Sequence, residues 1–129
     1  MTRATVAVPD LTPPVWPFAQ NVWAGDLLYA PGQVGQNPLT GALVIGGLEA
    51  ETRQVFENIR RVLVAAGLGL EHVIKTYVFL VDMSDLAAMN AIYGRMFAPR
   101  FPARTTAQVP KLPLGARVEI DVIAWRGPE

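Results

Sequence analysis

The chain has 129 residues, 51% of them apolar and 17% charged, which fits one compact domain spanning 1–129 and is more apolar than a small solvated monomer needs. Eleven basic residues balance eleven acidic ones, so no electrostatic footprint for nucleic acid or an anionic membrane is present. Cysteine is absent and histidine occurs once, which excludes a disulfide framework, a thiolate nucleophile and a Cys/His zinc site.

The opening stretch "MTRATVAVPDLTPPVW" has one early Arg3 and no apolar core of signal-peptide length. The longest nearly apolar run, "VLVAAGLGL", is too short and too broken by glycine to span a bilayer, so a soluble cytoplasmic protein is expected.

A short first strand is expected from Thr5 to Val8, followed by an irregular connection marked by Pro9, Pro13, Pro14 and Pro17. Strands near 21–24 and 27–31 flank a Gly-Asp turn, and "NPLTG" reads as a further turn. "ETRQVFENIRRVLVAAG", 51–67, sets Val55, Phe56, Ile59, Val62, Leu63 and Ala66 on one helical stripe, leaves Glu57, Arg60 and Arg61 outward, and stops at Gly67. "VIKTYVFLV", 73–81, is dense in β-branched and aromatic residues with both faces largely apolar, which suits a central strand covered on both sides. In "SDLAAMNAIYGRMF", Ser84 is placed to cap a second helix with Leu86, Met89, Tyr93, Met96 and Phe97 at helical spacing. "FPARTTAQVPKLPLGARVEIDVIAW", 101–125, is an extended segment, a proline-marked turn and a final strand.

The order β-β-β-α-β-α-β-β predicts an α+β domain in which a mixed sheet carries helices on one face and leaves the other uncovered. On the final strand, Val118, Ile120, Val122 and Ala124 alternate with Arg117, Glu119, Asp121, Ile123 and Trp125. The charged side is either a solvated face or an interface between subunits, and Ile123 and Trp125 on the same side favour the interface.

His72, at a strand entry, is assigned no catalytic role, and "GGLEAETRQ" lacks the glycine spacing of dinucleotide or Walker loops. With no Cys and no partner set near the one His, covalent acyl chemistry is disfavoured. What remains is an arginine, a carboxylate and backbone groups, an inventory suited to a small anionic substrate and an easy reaction.

The landmarks "PFAQ" at 17–20, "PGQVG" at 31–35, "NPLTG" at 37–41, "QVFENI" at 54–59, "AAGLGLEHVIKTYVFL" at 65–80, "NAIY" at 90–93, "FPART" at 101–105 and "VEIDVIA" at 118–124 run in order along the chain. Together they resemble the RidA/YjgF family of small trimeric enamine/imine deaminases. The resemblance implies a chorismate-mutase-like α+β fold, a six-stranded mixed sheet with two helices packed on one face, and a homotrimer whose sheets form a central barrel with clefts between neighbouring chains. It also implies hydrolysis of reactive 2-imino acids and enamines to 2-oxo acids and ammonia, with no cofactor and no metal. By the same resemblance Arg104 holds the substrate carboxylate, Glu119 positions or activates the attacking water, Gly32 presents backbone groups to the bound acid, and Asn90 supports the cleft.

Phe18, Pro31 and Thr106 stand where the best-studied members carry tyrosine, serine and cysteine, and all three line or border the family's cleft. Phe18 lacks the tyrosine hydroxyl, and Pro31 lacks the serine hydroxyl and a backbone N–H, so a substrate different from the archetype's small imines, larger or more apolar, is expected, with ordinary packing the competing role for Phe18. A non-catalytic trimeric protein that binds or senses a carboxylate ligand through Arg104 is the alternative.

Overall fold

The structure, a computed structural model, describes residues 3–127. Six strands, β1 (Arg3–Ala4), β2 (Val22–Ala24), β3 (Leu27–Tyr29), β4 (Val73–Leu80), β5 (Ala103–Gln108) and β6 (Val118–Trp125), form one sheet in the order β1-β2-β3-β6-β4-β5. β4 and β5 run parallel and the other neighbours antiparallel, so the sheet is mixed. Helices α1 (Gly47–Ala65) and α2 (Leu86–Phe97) pack together, and α1 lies on β6.

The core follows from the two apolar periods. Val55, Phe56, Ile59, Val62 and Leu63 of α1 are buried, as are Val118, Ile120, Val122 and Ala124 of β6, the stripe and the alternation expected of them. Phe56, Tyr93 and Phe97 meet edge-on or tilted between the helices. Gly67, at φ 78, ends α1 in a conformation that a side chain would strain.

Five local expectations are corrected, the last of them in β3. No strand spans Thr5 to Val8: β1 is Arg3–Ala4, and beyond it the backbone N–H and C=O of Val6 bond the Asn21 side-chain amide at 2.8 Å each, so an amide takes the place of a partner strand. α1 begins at Gly47, ahead of Glu51, after the positive-φ Gly46 has turned the chain. Ser84 does not cap α2. It lies in a single 3-10 turn, Met83–Asp85, where its N–H is bonded by the Asp82 carboxylate at 2.9 Å. β4 is central, but this chain covers only one of its faces: Tyr77 is exposed, and Lys75, half-buried, reaches over its ring at 4.8 Å.

β3 ends at Tyr29, short of the expected residue 31, and this break shapes the site. Ala30 N–H still bonds Val122 O at 3.1 Å, and Gln33 exchanges two backbone bonds with Ile120 at 2.8 and 3.0 Å. Between them Pro31 has no N–H to offer, and the chain bows away from β6 at Gly32. Among the described residues no helix is long and apolar enough to cross a membrane.

Candidate active site

The bow at Pro31 and Gly32 opens directly over Glu119. A Cβ built on Gly32 would stand 2.5 Å from Glu119 Oε2, so only glycine lets the backbone pass this close to the carboxyl group. Gly32 itself is not in the left-handed region; its requirement is space. Glu119, alternating with buried Val118 and Ile120, points away from the helices into a cleft of about 980 Å³.

Phe18, Pro31, Gly32 and Glu119, all named from the sequence, line this one cleft. The proline-rich segment lines the cleft with Pro13, Pro14, Val15, Trp16 and Phe18, and Leu114 joins the lining from the turn before β6. Prolines at 13, 14 and 17 restrict the backbone of this segment and allow it to stand as a wall without strand pairing.

Burial pushes the Glu119 carboxyl above the usual glutamate range, and the nearby Asp121 carboxylate adds to the rise. Asp121, two residues along the same face, is raised chiefly by burial, against a smaller opposing effect of backbone N–H groups. Its Oδ1 is buried without a hydrogen-bond partner among the described residues. Two carboxyl groups with impeded ionisation therefore stand side by side on a face that this chain leaves open.

Arg104 lies elsewhere. It pairs in register with Thr76 on β4, and Thr76 faces the helices, its hydroxyl 2.7 Å from the Tyr93 hydroxyl. The Arg104 guanidinium sits 4.8 Å from the Tyr93 ring centre, and its Nη1 donates to Asn90 Oδ1 at 2.8 Å. No ion pair among the described residues includes it. Thr106, in register with Val78 and half-buried, shares the Arg104 side of β5. The residues named from the sequence thus fall into two groups: Phe18, Pro31, Gly32 and Glu119 in the cleft, and Asn90, Arg104 and Thr106 away from it.

Three residues have roles that periodicity does not show. Tyr93, expected as part of an apolar stripe, is buried yet serves as the surface on which Arg104 rests, and burial raises its phenol above the usual range. Arg117, expected beside Glu119 on the charged face, reaches instead to Asp85 through two bonds of 3.1 and 3.2 Å. Glu51 is buried and accepts the Arg117 backbone N–H at 2.7 Å, tying the start of β6 to α1. Its burial beside Gly35 marks it as structural, since its accepted bond lies within the fold. His72, half-exposed, accepts the Gly69 N–H on Nδ1 at 3.0 Å and shares no pocket with Glu119.

The chain is similar to known proteins over almost its whole length. The family model described as Endoribonuclease L-PSP matches residues 9–126. The human 2-iminobutanoate/2-iminopropanoate deaminase is 37% identical over 128 residues, 99% of this chain and 93% of that protein. A Rid family protein from Yersinia pestis superposes with a TM-score of 0.93 at 38% identity, covering 96% of this chain and 99% of the other. Escherichia coli TdcF, solved with bound serine, gives a TM-score of 0.90 at 30% identity, with 96% and 99% coverage. A matching family model over most of the chain, a relative matched over 93% of its length and the same sheet-and-helix architecture lead to one conclusion: this chain belongs to the RidA/YjgF family, the Endoribonuclease L-PSP family of that model.

Proposed function

We propose that the protein hydrolyses 2-imino acids, or the enamines in equilibrium with them, to 2-oxo acids and ammonia, at a site completed by two copies of the chain in a homotrimer. The observation that carries this reading is the Glu119 carboxyl group, held above its usual pKa beside the Gly32 backbone in a largely apolar cleft. Relatives named 2-iminobutanoate/2-iminopropanoate deaminase support it.

In this reaction a protonated Glu119 gives its proton to the imine nitrogen as water attacks the C=N carbon. The resulting carboxylate takes a proton from the attacking water, leaving a carbinolamine. Glu119 then protonates the amine, the C–N bond breaks, and the hydroxyl proton passes to the Glu119 carboxylate as the new C=O forms. One water is consumed and one ammonia released, with Glu119 restored. Arg104 meets the substrate carboxylate with a planar fork, and Asn90 and the Tyr93 ring hold that fork in place. Gly32 offers backbone hydrogen-bonding groups beside the acid.

Because Arg104 and Glu119 face opposite sides of one chain's sheet, the proposed site draws Arg104 from one subunit and Glu119 from its neighbour. The exposed Tyr29, Tyr77 and Trp125 and the Asp121 Oδ1, without a partner among the described residues, supply a face suited to covering by other copies. Phe18 and Pro31 contribute no side-chain hydroxyl to the cleft, which supports a substrate other than the smallest imines. The family model's description names an endoribonuclease, but a chain with balanced charge offers no excess of positive charge to a phosphate backbone.

The test generates 2-imino acids in place with an amino-acid oxidase and follows semicarbazone formation. Suppression by the wild-type protein, lost in Arg104→Ala, is expected. Absence of suppression across imines of different size would overturn the reading in favour of a carboxylate binder.

A further inference from the structure

We propose that Trp16, Phe18 and Leu114 form a side-chain subsite that selects 2-imino acids bearing a bulky apolar group, aromatic ones foremost. The inference rests on the imine-hydrolysis reading above and names the substrate class within it.

The first argument is the distribution of polar groups. A cleft of about 980 Å³ lies at the upper end of the volumes that enclose drug-sized ligands, whereas the smallest 2-imino acid has about six non-hydrogen atoms. All but one of the amides along the wall, and its hydroxyl, are already committed to backbone. Asn58 donates to Val34 O and Gln36 O at 3.3 and 2.9 Å, Gln36 to Gly41 O at 2.9 Å, and Thr12 to Pro38 O at 3.1 Å; Gln20 accepts from Val8 N at 3.2 Å. Among the lining acids and amides, only the side chains of Glu119 and Gln33 have no such bond among the described residues; Gln33 pairs through its backbone with Ile120, the neighbour of Glu119, so the uncommitted polar residues sit together at one end and the rest of the wall is apolar. A ligand that matches it carries its reacting polar atoms at Glu119 and an apolar group beyond them.

The second argument is independent of the first. Leu114 has φ 62 and ψ 15, the left-handed region that a leucine enters only against steric resistance, and Gly115 beside it has φ 70. Leu114 is 54% exposed, so burial in the core does not offset that strain. A strained backbone that delivers an exposed apolar side chain to a cleft wall is a functional arrangement in need of a partner. Trp16, 73% exposed on the same cleft, is a second large apolar side chain that the core leaves out.

The experiment measures kcat/KM for imines made in place from alanine, leucine and phenylalanine. The ratio of the phenylalanine to the alanine value is expected to be about tenfold or more, the scale set by added apolar groups in a fitted pocket. Leu114→Gly, which removes the side chain and suits the backbone, and Trp16→Ala should each lower that ratio at least about threefold with an unchanged circular dichroism spectrum. A ratio near one with alanine imine still hydrolysed, or a high ratio that neither variant lowers, overturns the subsite and leaves the deaminase reading standing. No turnover on any of the imines overturns both.

Discussion

Arg104 and Glu119 stand on strands separated only by β4, yet they face opposite sides of the sheet. Arg104 is in register with Thr76, whose hydroxyl meets Tyr93 on the helical face, while Glu119 is in register with Phe79 on the face the helices leave open. Strand alternation makes this separation a property of the fold rather than of side-chain rotamers, so no rotation of either side chain brings the two together in one chain. A site using both therefore needs two copies, which gives the open face a reason to carry carboxyl groups, Tyr77 and Trp125 together.

Arg104→Lys keeps the positive charge and loses the planar fork. If the guanidinium grips a carboxylate through paired bonds, kcat/KM should fall by about 10- to 100-fold, the equivalent of one or two charge-assisted hydrogen bonds. Light scattering should still give the wild-type mass. Wild-type kcat/KM in the variant would remove Arg104 from substrate recognition.

Gly32→Ala introduces a Cβ into the space held by Glu119 Oε2. The backbone accepts alanine there, and the end of the glutamate side chain is free to swing aside, so the stability change should stay within about 1 kcal/mol in a denaturant titration. Activity should drop tenfold or more, because the carboxyl group leaves its position beside the cleft backbone. Full activity in this variant would show that the close approach of Gly32 and Glu119 has no catalytic use.

These expectations were legible in the sequence to different degrees. The α1 stripe and the alternation along β6 read directly, because each pattern repeats over enough residues to fix which side is buried. β1 did not, since the apolar run from Thr5 to Val8 finds its hydrogen bonds in the Asn21 and Gln20 amides, partners distant in sequence. The Arg104 group was only half legible: alternation along β5 groups Arg104 with Thr106, but the register that sets Arg104 on Tyr93 depends on how β5 docks against β4. The wall made by Trp16 and Leu114 leaves no periodic trace. Four closely spaced prolines and the Leu114-Gly115 pair mark turns, without telling which cavity those turns enclose.

Glu119→Gln should alter how stability varies with pH. Burial, then the Asp121 charge, raises the Glu119 pKa on folding, so the folded chain keeps a proton that the unfolded chain releases. The stabilising contribution of that proton is complete below the ordinary glutamate value and is lost as pH rises through the raised folded value. Glutamine keeps the shape without a charge to bury. The variant should therefore melt higher than wild type near about pH 7, with the gap closing toward about pH 4, while its kcat/KM falls by about 100-fold or more. A gap that widens on acidification would contradict the assigned cause.

Asp121→Asn removes the like charge that is the second cause of the Glu119 rise. Where a protonated Glu119 starts the reaction, kcat/KM declines as pH climbs past its pKa, and this decline should move to lower pH in the variant. An unmoved profile would detach Asp121 from the reacting acid.

The central claim, that each site joins Arg104 of one subunit to Glu119 of another, is tested most directly by mixing two inactive variants. Arg104→Ala and Glu119→Gln proteins, unfolded together in equal amounts and refolded, should recover about a quarter of wild-type activity in a trimer, because random assembly places both intact residues at roughly that share of the interfaces. Each variant refolded alone should stay inactive. No recovery from mixed assemblies shown by mass spectrometry to contain both chains would contradict a shared site.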